Sequence, residues 1–217
     1  MDRPSQIQEL TTARLLTEPQ RGTLILDIRP AEEFAALHIR GSIQISLLGH
    51  FAAWAAMLLD PASQLVLISE DETHARESHD RLLRVGIAHV IGYSRPNEHQ
   101  WHEHGLDLAS IPVQRCGSIH GAGGSDTPLQ LIDVRSRAEW LKGHLPGAVS
   151  MPLLDIESNI RTIDTRRASL IYCHEGFRAT TAASIVLRKS DGNVGILIDG
   201  IEGWLASGLP LEIPKTI

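Results

Sequence analysis

The chain has 217 residues, of which 42% are hydrophobic and 21% charged, with two cysteines and a formal net charge of -6. That length holds one large domain or two of about 100 residues, each able to bury its own core. The acidic balance, with Lys and Arg scattered, argues against nucleic-acid and anionic-lipid partners, and no apolar run approaches the roughly 18 residues of a membrane span.

Taken in chain order, the N-terminus MDRPSQIQEL is polar and charged, without the apolar stretch of a secretory signal, so a cytoplasmic protein is expected. Residues 23–28 form a short branched apolar run ending in Asp27-Ile28-Arg29, the pattern of a strand buried on both faces. The acid-rich stretch 31–37 has helical spacing. A second buried strand is expected at 65–68, a helix at 73–85 and a strand at 89–93. The series then returns: a strand at 129–134 ending in Asp133-Val134-Arg135, a helix at 137–142, a strand at 169–172, a helix at 178–189 and a strand at 194–198. Strands alternating with helices predict an α/β fold with mostly parallel sheets covered on both faces.

The return is a true internal repeat. Leu26-Asp27-Ile28-Arg29 matches Ile132-Asp133-Val134-Arg135, Glu33-Phe34 matches Glu139-Trp140, and His38 through Ile43 matches His144 through Val149, all at an offset of 106 residues. Trp101 with Gly105-Leu106 matches Trp204 with Gly208-Leu209 at an offset of 103. A period this long marks duplicated domains rather than a solenoid. Between the copies the chain is rich in Gly and Ser, the composition of a flexible linker. The expected division is a domain over 1–113, a linker over 114–126 with the boundary near 117–125, and a domain over 127–217.

One cysteine, Cys173, ends the buried run of the second copy, followed by Gly176 and Arg178 at a helix start. Ligands of open α/β sheets bind beyond the carboxyl ends of the strands. A loop curling there, with Gly176 free to take a positive φ, aims backbone N–H groups and a helix N-terminus inward and favours a thiolate. The residues equally allow a small buried hydrophobe finishing a strand. With neither cysteine in a disulfide pattern, both are expected as free thiols.

The second copy resembles the rhodanese sulfurtransferases. It carries Leu131-Ile132-Asp133-Val134-Arg135 with Glu139-Trp140, then Gly143-His144-Leu145-Pro146-Gly147-Ala148-Val149. The loop Cys173-His174-Glu175-Gly176-Phe177-Arg178 follows, and then Asp199-Gly200-Ile201-Glu202-Gly203-Trp204. The first copy resembles the same family more weakly, with Ser69 where Cys173 stands and His74 where Arg178 stands. The resemblance implies two rhodanese-like domains, the first catalytically degenerate. The chain is also similar to the rhodanese portion of fusions to metallo-β-lactamase-fold persulfide dioxygenases, in Phe51-Ala52-Ala53-Trp54-Ala55 and in residues 173–184, although the metal motif His-x-His-x-Asp-His is absent.

For function, the resemblance implies sulfane-sulfur transfer from thiosulfate or a persulfide through a Cys173 persulfide to a thiol, sulfite or cyanide, with ping-pong kinetics and neither cofactor nor metal. His174, Glu175, Gly176, Phe177 and Arg178 are then the substrate-binding residues, with Glu139 supporting the loop through Arg178. Glu175 beside the nucleophile, with the aromatic Phe177, favours a persulfide over dianionic thiosulfate. The alternative is a non-catalytic sulfur carrier or docking module served by a persulfide-metabolising partner enzyme. Related cell-cycle phosphatases use Cys-x5-Arg to surround a phosphate; the Cys-x4-Arg spacing here is one residue shorter.

Four other features have a blander expectation. His99, His102 and His104 lie without a partner at recognised metal spacing and are expected to be solvated. Cys116 is expected as an exposed linker thiol, with a resolving role as its rival. Ser69 with His74 and His79 lacks a Gly-x-Ser-x-Gly elbow. The Asp27/Arg29 and Asp133/Arg135 pairs, present in both copies, are expected to be scaffold.

Overall fold

In the computed structural model of the chain, residues 7–119, 129–164 and 167–214 are described, and the chain divides into two compact units, Met1–Ala109 and Ser110–Ile217. The first unit runs α1 (Thr12–Thr17), β1 (Leu24–Asp27), α2 (Ala31–Ala36), β2 (His38–Ile39), β3 (Ile43–Gln44), α3 (Phe51–Leu58), β4 (Leu65–Ile68), α4 (Glu72–Leu83), β5 (Val90–Ser94), α5 (Glu98–Glu103) and β6 (Leu108–Ala109). The second runs β7 (Val113–Gln114), α6 (Cys116–Ile119), β8 (Gln130–Asp133), α7 (Arg137–Leu141), β9 (Val149–Ser150), α8 (Ile156–Asn159), β10 (Ser169–Tyr172), α9 (Phe177–Lys189), β11 (Val194–Leu197) and α10 (Gly200–Ala206).

Each unit is built on a parallel sheet, ordered β3-β1-β4-β5 in the first and β7-β11-β10-β8-β9 in the second; a small antiparallel pair, β2 with β6, closes the first. Every position of β1, β4, β10 and β11 is buried, because helices cover both sheet faces and aliphatic side chains satisfy both. The expected α/β architecture is therefore the observed one. In register, Asp27 lies opposite Ile68, and Asp133 opposite Tyr172. Ser69 and Cys173 thus leave their sheets at equivalent points.

Beside each exit sits a buried ion pair. Arg135 Nε lies 2.9 Å from Asp133 Oδ1, and Arg135 also donates to the Gly143 carbonyl at 2.8 Å; Arg29 grips Asp27 in the same way and reaches the Leu37 carbonyl at 2.9 Å. The arginine thus ties the strand end to the close of the following helix. In the second unit Tyr172 adds a link, donating its hydroxyl to Asp133 at 2.7 Å while accepting the Leu145 N–H at 3.1 Å.

The linker expectation needs correction over residues 110–119. Val113 and Gln114 form the edge strand β7, the Ile196 N–H donates to the Pro112 carbonyl at 2.9 Å, and the Ile198 N–H donates to the Gln114 carbonyl at 3.1 Å. The free backbone edge of β11 demands partners, and this stretch supplies them. The division therefore falls before Ser110 rather than at 114–126, and the Gly-rich stretch 120–128 lies outside the described residues. Cys116 is fully buried, in a core cluster with Leu145, Leu170, Tyr172 and Trp204, and is not an exposed linker thiol.

Removing Asp133 strands a buried guanidinium. Asp133→Ala is expected to destabilise the second unit by about 3–5 kcal/mol, read as a lower denaturant midpoint, whereas Tyr172→Phe loses only hydrogen bonds and costs about 1–3 kcal/mol.

Candidate active site

Cys173 follows β10 directly and is 1% exposed. Four residues, 173–176, separate the strand from α9, and the chain closes the turn at Gly176 with φ +87°. Only glycine fits there: a Cβ would lie 2.3 Å from the Ile198 carbonyl oxygen, in a conformation that side chains also disfavour. The turn points the Gly176 N–H at the sulfur, at 3.1 Å from Sγ. Burial pushes the Cys173 thiol up, while the Ala179 N–H, the Arg178 charge and the Glu175 and Gly176 N–H groups pull it back. Burial prevails, so the thiol sits above its ordinary range; the expectation that the loop favours the thiolate outright is corrected by this desolvation.

Arg178 forks onto Glu139, with both N–O distances 2.9 Å. Glu139 is held from its other side by Ser136, whose backbone N–H and hydroxyl donate to Oε2 at 2.9 and 2.7 Å, while the Glu139 N–H donates back to the Ser136 hydroxyl at 3.2 Å. This is a capping box opening α7, and its Ser-x-x-Glu spacing was available in the sequence as a signal that was passed over. The Arg178 hydrogen bonds, with those from Ser136, hold the Glu139 carboxyl down at about 2 despite partial burial. Of the two tasks open to Arg178, the geometry displays bracing.

The outer rim is polar. His174, Glu175 and Phe177 are exposed, and His174 Nε2 lies 3.1 Å from Glu202 Oε1. Glu202 belongs to α10 and was missed as a rim residue, because only the fold brings its turn beside the loop. Among the described residues, His174, Glu175 and Glu202 are the group of ligand-type side chains gathered within 4.8 Å, all of them solvent-exposed; His99, His102 and His104 form no such group, and His104 Nδ1 instead meets the Gln100 carbonyl at 2.9 Å.

The first unit keeps the scaffold and changes the loop. Ser69 is buried and donates to the Asp71 carbonyl at 2.9 Å, while His74 contacts the Asp71 carboxylate at 3.1 Å, so no Ser–His pair is assembled. Three residues, 69–71, separate β4 from α4, one fewer than in the second unit. Glu33, at the position of Glu139, meets Glu70, and burial together with that neighbour raises its pKa against the pull of the Arg29 charge, where the Arg178 fork lowers Glu139. A cavity of about 100 Å³ remains, lined by Ser69, Glu70, His74, Arg29, Ser46 and Leu47 among others.

The sequence pattern of the rhodanese-like domain matches residues 11–95 and 122–207, once per unit. The chain belongs to the rhodanese-like family. Its relatives include a sulfurtransferase of Allochromatium vinosum, 33% identical over 85 residues that cover 39% of this chain and 79% of the relative. A putative sulfur carrier protein of Bacillus subtilis, YrkF, is 30% identical over 103 residues, covering 47% of this chain and 56% of the relative. Among solved structures, a thiosulfate sulfurtransferase from Pseudomonas aeruginosa aligns with 97% of this chain and 44% of its own, at 17% identity and a TM-score of 0.41. The family match covers both units of the chain, whereas the Allochromatium sulfurtransferase aligns with 85 residues of it. Among the described residues no helix is long and apolar enough to cross a membrane.

The Glu139 fork predicts a pH signature. With its folded pKa near 2 and an unfolded value near 4.5, Glu139 contributes stability that is full above pH 4.5 and lost as pH falls through 2. Discounted for the partial exposure of the pair, Glu139→Gln should cost roughly 1 kcal/mol at pH 7, with the gap to wild type closing at acid pH in denaturant titrations.

Proposed function

We propose that the second rhodanese unit transfers sulfane sulfur through Cys173. The observation that carries this is the nucleophile cradle: a thiol at a parallel-strand end, faced by the Gly176 N–H, at the N-terminus of the 13-residue helix α9. In the first half-reaction the Cys173 thiolate attacks the outer sulfur of a donor R–S–S⁻. A bond forms from Sγ to that sulfur, the donor S–S bond breaks, and its electron pair leaves with the thiolate R–S⁻. In the second, an acceptor thiolate, sulfite or cyanide attacks the outer sulfur and returns Cys173 to the thiolate. Between the two, the N–H groups of the loop hold the persulfide anion. The relatives named as sulfurtransferase and putative sulfur carrier support sulfur as the cargo.

The donor is proposed to be a persulfide of a small thiol rather than thiosulfate. Arg178 spends its fork on Glu139, and Glu175 and Glu202 put negative charge at the rim, where a dianion is opposed. A partner enzyme that makes or consumes persulfides fits the same reading. The alternative is a carrier that loads once and waits for such a partner.

Intact mass after incubation with glutathione persulfide is expected to rise by about one sulfur atom in wild type and not at all in Cys173→Ser; retention of that gain in the variant would refute the assignment. Catalytic turnover with a small thiol, against a single stoichiometric loading, separates the enzyme from the carrier. For donors, kcat/KM should favour a monoanionic persulfide, that of 2-mercaptoethanol, over thiosulfate by roughly tenfold, the equivalent of about 1.4 kcal/mol of charge repulsion, and a preference for thiosulfate would sink this part of the reading. Because burial raises the Cys173 pKa, the loading rate should climb with pH and level off only above the ordinary thiol value of about 8.5.

A further inference from the structure

Cys116, the second cysteine, takes no part in sulfur transfer as proposed, yet it is held in place by specific bonds. Its Sγ lies 3.2 Å from Asp199 Oδ1 and 3.4 Å from the Gly200 carbonyl oxygen, and its backbone N–H donates to both Asp199 oxygens at 3.2 and 3.0 Å. Burial and the adjacent carboxylate push this thiol up to about 12, so it remains protonated and a hydrogen-bond donor at neutral pH.

The other side of the same turn touches the nucleophile loop. The Ile201 N–H donates to the Cys173 carbonyl at 2.9 Å and the Glu202 N–H to the His174 carbonyl at 3.3 Å. Contact is close: a Cβ at Gly200 would lie 2.2 Å from the His174 oxygen and 2.6 Å from the Cys173 oxygen, and one at Gly203 would lie 2.6 Å from the Asp199 side chain. The turn 199–203 is therefore clasped by Cys116 on one side and by the first two residues of the active loop on the other. A loosened Asp199 would release the turn, and with it the carbonyls that set the direction of the loop.

We propose that Cys116 is a positioning residue for Cys173: its S–H and N–H fix Asp199, and the 200–202 backbone passes that constraint to the cradle around the nucleophile. The proposal rests on the reading of Cys173 as the nucleophile. The first unit offers a comparison. Thr12 opens α1 as Cys116 opens α6, and its hydroxyl donates to Gln100 in α5, the counterpart of α10, at 2.9 Å. At the offset of 103, Gln100 matches Gly203 rather than Asp199, so the Cys116–Asp199 contact is particular to the second unit; what it needs is a small side chain with a donor, and serine should serve in place of Cys116.

The test compares Cys116→Ser, Cys116→Ala and Cys116→Val for kcat, for KM, and for the pH profile of iodoacetamide alkylation at Cys173, followed by mass. Alkylation requires no sulfur donor, so it decides the positioning role even if the sulfur-transfer reading fails. The Ala and Val variants are expected to lose roughly tenfold in kcat with KM within about twofold, the cost of a misaligned reacting group, and to alkylate at higher pH than wild type. The Ser variant should lie within about twofold of wild type in each. Valine fills the space without a donor, which covers the case in which the alanine variant does not fold. Wild-type alkylation and turnover in a folded Ala or Val variant would overturn the proposal, as would a Ser variant as impaired as Val. Failure of both Ala and Val to fold would assign the residue to the fold alone and overturn it equally.

Discussion

The fork between Arg178 and Glu139 ties the loop of Cys173 to a distant part of the second unit. It spans 39 positions of sequence to join the first turn of α9 to the first turn of α7. An arginine used in this way has both arms of its planar fork committed to one carboxylate. Its stiffness depends in turn on the capping box at Ser136, which occupies the carboxylate from behind. Loop shape and helix initiation thus share one carboxyl group.

Both units rely on the same answer to a different problem, that of ending a parallel strand without leaving its polar groups stranded. An Asp at the last position of β1 and β8 and an Arg two residues later form a buried pair whose free N–H reaches the carbonyl that closes the next helix. A histidine stacks on the aromatic residue four positions before it, His38 on Phe34 and His144 on Trp140, with ring centroids 4.0 and 3.9 Å apart. These devices recur whether or not a thiol follows, which separates the residues that build the scaffold from those that act on it.

Much of this was legible in the chain itself. The duplicated Asp-x-Arg and Trp-x3-Gly-Leu patterns disclosed two α/β units because buried parallel strands leave short, nearly continuous apolar runs. The exit of Cys173 from a central strand was legible for the same reason. Residues 110–119 were misjudged because Gly and Ser content reports local preference, whereas the unpaired edge of β11 imposes a strand from outside. Glu202 and Asp199 could not be ranked from spacing, since their proximity to 173–174 arises only when β11 lies beside β10. The ionisation of Cys173 was misjudged in the same way: donors can be inferred from a glycine and a helix start, but the depth of burial cannot.

The two units differ in the length of the corresponding loop. Between β4 and α4 the first unit has three residues, where the second has four between β10 and α9, and no glycine stands at the turn. Placing a cysteine at position 69 would supply a sulfur atom but neither the turn that aims an N–H at it nor a counterpart of Arg178, since position 74 is histidine. Matching the second loop would require an insertion, a glycine and an arginine together. The two loops thus differ in length as well as in residues, and a single point mutation in the first unit cannot reproduce the turn that faces Cys173 in the second.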